Sequence, residues 1–185
     1  EIIIIDGNSV DNTYKLIVVF KKKYEDLKHG IVYIYKKNGN RSVGRNFGIN
    51  KSSNKIIAIT DAGNYLHKNW YENITDPFQN SSIDVVAGFY RPVTKNYFEK
   101  CLSAYTCIAP DKVTDNFLPS SRSIAFRKNA WRKVHGYPEN LDTCEDLVFA
   151  NDLKKSGFAF KVKKDAFVYW KQKETLWGAF RQFFA

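Results

Sequence analysis

Two carboxylates follow predicted strands, at positions where a bound ligand could be contacted. Asp6 and Asp61 each come directly or almost directly after a short apolar run, and glycine stands nearby at Gly7 and Gly63. Ligands of parallel α/β sheets bind beyond the carboxyl ends of the strands, so both aspartates are candidate ligand contacts. Glycine would let the ligand approach the backbone closely. An aspartate at a strand end is also a common turn-former, and this alternative stays open for each residue.

A second pair of carboxylates, Glu145 and Asp146, begins a helix predicted over residues 145–156. Acidic residues in a first turn are stabilised by the helix dipole, which is a sufficient structural reason for them. They are also placed where a general base could take a proton from an attacking hydroxyl group. The spacing of the residues does not decide between these two interpretations.

Three polar residues, Arg45, Asn46 and Arg122, are candidate contacts for phosphate or nucleotide. The planar guanidinium of arginine matches the geometry of phosphate oxygens and can donate two hydrogen bonds at once. An arginine in a polar loop is also a frequent surface charge. Taken singly, these residues therefore indicate a site only weakly.

Strands that alternate with helices must position these side chains. The alternation, with apolar runs that lack polar interruption, predicts an α/β fold with a mainly parallel sheet and helices on both faces. The first helix is expected to bury Leu16, Ile17, Val19 and Phe20. The predicted strands cover residues 1–5, 31–35, 56–59, 84–90, 123–126, 158–163 and 166–170. The predicted helices cover residues 12–23, 44–52, 67–75, 96–107, 128–134, 145–156 and 174–184.

The composition is that of an ordered globular chain with a basic surface. Apolar residues make up 44% of the 185 residues, and Lys plus Arg exceed Asp plus Glu by 29 − 19 = +10. Such a surface favours anions: nucleic acid, acidic lipid headgroups or phosphorylated small molecules. No base-stacking aromatic pattern accompanies the lysine clusters, so nucleic acid is not expected as a partner. Three cysteines without metal-ligand spacing are typical of a reducing compartment.

Taken in order, these segments resemble the family 2 glycosyltransferases. Residues 1–13 resemble the family's "E-hydrophobic-DGGSTDGT" segment, and residues 44–49 resemble its "ARN-x-G" element. Residues 145–149 resemble its "ED" helix. Residues 55–63 resemble the family's strand that leads to the aspartate motif, and residues 119–139 resemble its acceptor-side segment. Residues 181–184 resemble its late basic and aromatic segment. The similarity extends over nearly the whole chain.

The resemblance implies a GT-A fold and an enzyme that transfers a sugar from a nucleotide-diphosphate sugar to a glycan, polysaccharide or lipid-linked acceptor, with inversion. Asp146 would be the catalytic base, and Glu145 would position it or the substrate. Asp61 would hold a divalent cation, Mg²⁺ or Mn²⁺, near the diphosphate. The nucleotide-sugar-binding residues that it implies are Asp6, Gly7, Ser9, Arg45, Asn46, Asp61 and Arg122.

We expect a single domain over residues 1–185, with a nucleotide-sugar-binding half at about 1–90 and an acceptor-side half at about 91–185. The family's first strand, with its "P-x-Y-N" loop, is expected to lie before residue 1, which would leave a gap in the sheet. No run of 18 uncharged apolar residues and no signal peptide occurs. We therefore expect a cytoplasmic protein, with the inner face of the membrane as an alternative place of work.

Three departures from the family pattern leave alternatives open. Gly63 stands where the family's aspartate motif has a second acidic residue, and it has no side chain that could bind a metal ion. Asp152 and His135 also depart from the pattern. These features allow a non-catalytic module that binds nucleotide sugar or glycan. A nucleotidyltransferase on a related fold is the third alternative. The aromatic and basic C-terminal helix is expected either to pack on the core or to rest on a membrane surface.

Overall fold

The computed structural model describes residues 1–26 and 30–184. The strands are β1 (Ile2–Asp6), β2 (Val32–Lys36), β3 (Ile56–Ile59), β4 (Asn64–Leu66), β5 (Val85–Val93), β6 (Ile124–Arg127) and β7 (Phe160–Lys171). The α-helices are α1 (Thr13–Asp26), α2 (Arg41–Lys51), α3 (Trp70–Thr75), α4 (Tyr97–Thr106), α5 (Lys128–Lys133), α6 (Glu145–Lys155) and α7 (Leu176–Phe184). Short 3₁₀ helices cover Asp76–Gln79 and Pro110–Lys112. The side chains of Gln182, Phe183 and Phe184, which belong to the late basic and aromatic segment, lie outside the described residues.

The strands form two sheets. β1 pairs with β2 in parallel, and a five-stranded sheet has the order β3-β6-β5-β7-β4. In the larger sheet β5 and β7 are parallel, whereas the pairs β3–β6, β5–β6 and β4–β7 are antiparallel. The prediction of an α/β fold is confirmed, but the prediction of a mainly parallel sheet is corrected to a mixed one. Strands buried on both faces have the same apolar pattern in either direction, so the sequence pattern did not distinguish them.

Helices cover both faces of the larger sheet, as predicted, and successive strand residues supply the two halves of the core. Val85 packs with Phe126, Phe149 and Leu153 on the face of α6. The next residue, Val86, packs with Trp70, Ile74 and Val168 on the face of α3. This alternation is the strand period of two, and it explains why residues 85–87 are all fully buried.

β7 is one long strand where two were predicted. The predicted strands covered residues 158–163 and 166–170, but the strand continues through Lys164 and Asp165. The register between β5 and β7 instead shifts between Ala87 and Phe89. Gly88 lies at this irregularity, and a Cβ atom there would be 2.0 Å from the Ser123 hydroxyl oxygen. A β-bulge thus absorbs the polar residues without ending the strand.

The expected apolar face of α1 is wrong in part. Leu16, Val19 and Phe20 are exposed, at 68%, 66% and 44%. The less exposed positions are Tyr14, Ile17, Lys21 and Tyr24, which follow one another at helical spacing. α1 packs mainly on β2. Because the sheet of β1 and β2 has only two strands, it covers only one stripe of residues along the helix.

Candidate functional site

The site lies where α2, the segment after β3 and the first turn of α6 meet. α2 begins at its N-cap Asn40, whose side-chain oxygen accepts a hydrogen bond from the Val43 amide. Gly44 and Gly48 let this helix approach β1 closely, because a Cβ atom at Gly48 would already be 3.1 Å from Ile5. The amide nitrogen of Asn40 also donates to the carbonyl oxygens of Glu139 and Leu141, which join α2 to the segment before α6.

Arg45 connects the two predicted carboxylate positions. One guanidinium nitrogen lies 2.7 Å from a carboxylate oxygen of Asp61, and another lies 2.7 Å from a carboxylate oxygen of Glu145. The side chains of Arg45 and Glu145 are only 9% and 4% exposed. A second arginine, Arg41, places its Nε atom 3.5 Å from the same Glu145 oxygen. The positive charges of Arg41 and Arg45 therefore balance the negative charges of Asp61 and Glu145.

The charge of Arg45 is held by its partners. Burial by itself lowers the pKa of the guanidinium, but the adjacent carboxylate of Asp61 and the hydrogen bond to Glu145 raise it above its ordinary value. Arg45 thus stays protonated in the enclosed site. Both of its outer nitrogens donate to carboxylates, so Arg45 links Asp61 to Glu145; its direct contact with nucleotide stays a prediction.

Asp146 is the partly exposed carboxylate of the pair in α6. Its Oδ2 atom accepts a hydrogen bond of 3.3 Å from the amide of Ser121, and its Oδ1 atom accepts one of 2.9 Å from the amide of Leu147. These two backbone donors fix the orientation of the carboxylate. The preceding Cys144 has a left-handed backbone, at φ 60°, which turns the chain so that Glu145 points inward and Asp146 stays accessible.

A buried tyrosine forms the floor of the site, and the sequence analysis assigned it no role. Tyr137 is 2% exposed, its hydroxyl accepts a hydrogen bond of 3.0 Å from Ser121, and Arg45 lies 5.3 Å above its ring. Burial raises the pKa of Tyr137 above its ordinary value, and the negative charges of Asp61 and Asp146 raise this pKa further. Asp61, Asp146 and Arg45 therefore surround one neutral phenol. No local pattern indicated this, because Tyr137 is an ordinary core aromatic by sequence.

Asn46, predicted as a nucleotide-sugar contact, lies in an internal hydrogen-bond cluster. Its amide nitrogen donates to the carbonyl oxygen of Tyr137 and to Glu139, at 2.9 Å each. Its oxygen accepts from the indole of Trp131 at 3.0 Å and from the amide of Tyr137 at 2.9 Å. Gly136 has a left-handed backbone here, and a Cβ atom at that position would be 2.6 Å from the Asn46 oxygen. Asn46 thus joins α2 to the segment that carries Tyr137.

Asp6 is nearly buried and forms the turn after β1. Its carboxylate accepts hydrogen bonds from the amide of Ser9 at 3.2 Å and from the Ser9 hydroxyl at 2.5 Å. Asn8, inside the turn, has a left-handed backbone, and Gly7 has open space beside it. The turn-forming alternative is therefore realised in the structure. Asp6, Gly7 and Ser9 lie together, but no contact joins them to the cluster around Arg45 among the described residues.

Arg122 lies on an aromatic surface formed by Trp170 and Tyr90. Its guanidinium carbon is 4.0 Å from the ring centre of Trp170 and 5.5 Å from that of Tyr90. The pKa of Tyr90 is raised by burial and by the neighbouring Cys107 and Asp146, against the effect of Arg122. The charges of Arg122 and Asp146 therefore act on the pKa of Tyr90 in opposite directions.

Asp61 is the residue that the family resemblance implies as the ligand of a divalent cation. The described residues contain no group of three His, Cys, Asp or Glu side chains in metal-binding proximity. Asp61 is 30% exposed and engages Arg45 through one oxygen, Oδ1. Gly63 offers no ligand and has open space beside its Cα atom. Mg²⁺ is commonly bound by one or two carboxylates together with substrate phosphates, and one aspartate with diphosphate oxygens fits that pattern.

Comparisons with known proteins agree with this arrangement. Residues 1–136 match the family described as Glycosyl transferase family 2. The poly(ribitol-phosphate) beta-N-acetylglucosaminyltransferase TarP of Staphylococcus aureus is 28% identical over 174 residues, which cover 89% of this chain and 51% of TarP. The chain thus spans about half the length of the curated relatives that it matches.

Solved structures show the same fold at low sequence identity. S. aureus TarS in complex with UDP-GlcNAc superposes with a TM-score of 0.70 at 18% identity, over 97% of this chain and 51% of that one. The mannosyltransferase PcManGT of Pyrobaculum calidifontis, in complex with GDP-Man and Mn²⁺, superposes with a TM-score of 0.73 at 18% identity. That match covers 98% of this chain and 50% of the other. The GT-A fold predicted from the sequence is confirmed.

Proposed function

Because this chain belongs to glycosyl transferase family 2, we propose that it is the catalytic core of an enzyme that transfers a sugar from a nucleotide-diphosphate sugar to an acceptor hydroxyl, with inversion. The observation that carries the proposal is the position of Asp146. Its carboxylate is partly exposed, oriented by two backbone amides and adjacent to the cluster of Arg45, Asp61 and Glu145.

In the proposed step Asp146 is the general base. The acceptor oxygen attacks the anomeric carbon as its proton passes to the Asp146 carboxylate, and the bond between that carbon and the diphosphate oxygen breaks. The electron pair of this bond leaves with the nucleoside diphosphate. The hydrogen bonds from Ser121 and Leu147 keep the accepting oxygens in place, which is the positional requirement for general-base catalysis.

Arg45 and Glu145 support this step without contacting the reacting atoms. Glu145 is buried and held by Arg45, so the first turn of α6 cannot rotate freely, and Asp146 follows directly in that turn. The guanidinium of Arg122 lies against the aromatic rings of Trp170 and Tyr90. We assign to it the neutralisation of charge on the departing diphosphate. A cation bound at Asp61 would supply the same neutralisation as a Lewis acid.

For the acceptor we propose a polymer that carries phosphate groups. The chain has a net charge of +10, which attracts polyanions, and TarP is named for poly(ribitol-phosphate) as its acceptor. The division into a nucleotide-sugar-binding half and an acceptor-side half stays a prediction. So does the cytoplasmic location.

The C-terminal helix supports a further part of the proposal, contact with a membrane surface. In α7 the side chains of Leu176 and Trp177 are 75% and 61% exposed, and Trp177 stacks on Phe180 with ring centres 5.5 Å apart. Lys173 and Arg181 flank these apolar groups. Such a helix fits the interface of an anionic bilayer. None of the described helices is long and apolar enough to cross one. Failure of the chain to sediment with anionic vesicles at low salt would contradict this part.

Replacement of Asp146 tests the proposal. Asp146→Asn keeps the shape of the side chain and removes its basicity, so we expect turnover to fall by roughly 10²–10⁴-fold. Donor binding, followed by thermal shift with UDP, GDP, CDP and dTDP, should be retained. Asp152→Asn, the same change on the same helix, is the matched control and should leave turnover near that of the parent. A parent chain that binds nucleotide but never turns over would support the non-catalytic module instead.

A further inference from the structure

A second, basic cleft lies at the opposite end of β3 from Asp61. Its volume is about 390 Å³, and four of its lining residues are cationic while none is acidic. The lining consists of Ser52, Ser53, Asn54, Lys55, Arg127, Lys128, Asn129 and Arg132. We call it the basic cleft. The proposed catalytic chemistry makes no use of it.

The basic cleft is distant from Asp146 and Asp61 because of the direction of β3. Lys55 immediately precedes this strand, whereas Asp61 follows its other end. On the neighbouring strand β6, Arg127 pairs with Ile56 at the same end as Lys55. An advance of about 3.3 Å per residue along an extended chain separates Lys55 from Asp61 by roughly 20 Å.

Two of the cations form the fixed wall of the basic cleft. The guanidinium of Arg127 donates hydrogen bonds to the carbonyl oxygens of Phe78, Asn80 and Ile83. The ammonium group of Lys128 donates to the carbonyl oxygens of Asn50 and Ser52, at 3.3 and 2.6 Å. These carbonyl partners are neutral. They orient the two cations and leave their charge uncompensated.

The other two cations, Lys55 and Arg132, are free to meet a ligand. Both side chains are exposed, and neither forms an ion pair within residues 1–26 and 30–184. Burial and the neighbouring charge of Arg132 lower the pKa of Lys128, against the effect of Glu1. The cations therefore repel one another, and an anion that enters between them would relieve this repulsion.

The rim of the basic cleft already binds an anionic oxygen. The carboxylate of Glu1 accepts hydrogen bonds from the amides of Ser53 and Asn54, at 2.8 and 3.2 Å, and from both of their side chains. The loop between α2 and β3 thus presents converging donors to a negatively charged group. A single carboxylate leaves a net charge of about +3 at the cleft, counted as four lining cations less Glu1.

We infer that the basic cleft binds a phosphate group of the acceptor polymer at a repeat remote from the hydroxyl that receives the sugar. This inference rests on the proposed function and adds a second contact to it. A flexible chain that carries a charge on every repeat can occupy the region of Asp146 and the basic cleft at once. The second contact raises affinity through effective concentration. A flat bilayer surface does not enter a concave site, so the polymer is the better match.

The test compares two double variants that remove the same charge. Lys55→Ala/Arg132→Ala alters the basic cleft, and Lys15→Ala/Lys22→Ala removes two exposed lysines of α1. Binding is measured with inorganic polyphosphate, a soluble chain of phosphate groups. We expect the first variant to bind roughly tenfold more weakly than the parent, since each exposed ion pair contributes up to about a factor of five. The second should change little, and both should keep the parent's melting temperature.

A kinetic arm links the basic cleft to the acceptor. With a polyol-phosphate polymer as acceptor, KM should rise about tenfold in the Lys55→Ala/Arg132→Ala variant while kcat and nucleotide binding stay unchanged. Equal weakening in both variants would show only general charge attraction and would overturn the inference. If the Lys55→Ala/Arg132→Ala variant loses binding to vesicles of phosphatidylglycerol but still binds polyphosphate like the parent, the cleft is a site for lipid headgroups instead. If the parent never turns over, the proposed function fails, and the polyphosphate comparison still decides whether the cleft is a phosphate site.

Discussion

A guanidinium nitrogen of Arg45, in α2, lies 2.7 Å from a carboxylate oxygen of Glu145, in α6, across a separation of 100 residues in the chain. Both side chains are almost completely enclosed, at 9% and 4% exposure. A buried ion pair costs desolvation when it forms, and loss of one partner leaves the other charge without compensation. The pair therefore holds α6 in one position relative to α2.

Replacement of Arg45 should affect stability and turnover together. For Arg45→Gln we expect the free energy of unfolding to fall by about 3 kcal/mol, because Glu145 stays buried without its main partner. Turnover should fall as Asp146 loses its fixed position. Arg45→Lys keeps the charge but cannot donate to both carboxylates in the same geometry. Its stability and turnover should therefore lie between those of the parent and those of Arg45→Gln. Urea denaturation and steady-state kinetics measure these effects.

Arg41 supplies the matched control for that series. Its side chain is 60% exposed and its Nε atom lies 3.5 Å from Glu145. Arg41→Gln leaves Glu145 paired with Arg45, and the Arg41 end of the contact is exposed to water, so the free energy of unfolding should fall by less than about 1 kcal/mol. Equal losses in the Arg41 and Arg45 variants would contradict the central position that we assign to Arg45.

Asn46 should matter for folding more than for nucleotide affinity. Asn46→Ala leaves the indole of Trp131 and the backbone groups of Tyr137 without their hydrogen-bond partner. Each unsatisfied buried group costs about 1–3 kcal/mol, so a large drop in melting temperature is expected. Asn50→Ala, in the same helix but exposed, should be nearly neutral. A variant that melts like the parent but binds nucleotide poorly would support the direct contact predicted for Asn46.

A second acidic residue should strengthen the binding of a divalent cation. Gly63 has a left-handed backbone, at φ 86°, and open space where a side chain would begin. Aspartate tolerates this conformation better than most residues, at a cost of about 1–2 kcal/mol in stability. We expect Gly63→Asp to increase the thermal shift that Mn²⁺ adds to nucleotide binding. EDTA should abolish that increment.

Two outcomes separate the contributions of Asp61 and the added carboxylate. If EDTA also reduces nucleotide binding in the parent, Asp61 recruits a cation without help from residue 63. If neither the parent nor Gly63→Asp responds to Mn²⁺ or EDTA, the cation at Asp61 is not part of donor binding. Gly63→Asn, which adds bulk without charge, controls for the change in backbone strain.

The contact between Glu1 and the loop after α2 should depend on pH in the acidic range. Partial burial raises the pKa of Glu1, but the hydrogen bonds from Ser53 and Asn54 outweigh this effect and lower it below the ordinary value of 4.5. A lowered carboxylate pKa stabilises the contact above about pH 4.5, and the contact is lost as the pH falls through the lower, folded-state pKa. The amide NMR signals of Ser53 and Asn54 should shift in that range. Glu1→Gln should remove this titration, whereas a midpoint above 4.5 would contradict it.

Much of the architecture followed from local patterns. The apolar runs located most of the strands, because a buried strand needs several consecutive apolar residues whatever its neighbours are. The order of Asp6, Arg45, Asp61 and the pair Glu145-Asp146 was enough to indicate the family, which the comparison over residues 1–136 confirmed. These features depend on residue type and spacing along one chain. They could be predicted before any packing was known.

Residue types and their spacing along the chain were therefore sufficient to predict most of the elements, the family and the residues capable of binding or catalysis. Contacts in three dimensions determine which of those residues act on one another. The tertiary structure placed Arg45 between Asp61 and Glu145, enclosed Asn46 in the cluster around Tyr137, and made three of the strand pairs antiparallel. Periodicity and helix capping depend on residues a few positions apart, so they can be recognised in the sequence. Ion pairing and burial depend on distances in space, and they can join residues a hundred positions apart in the chain.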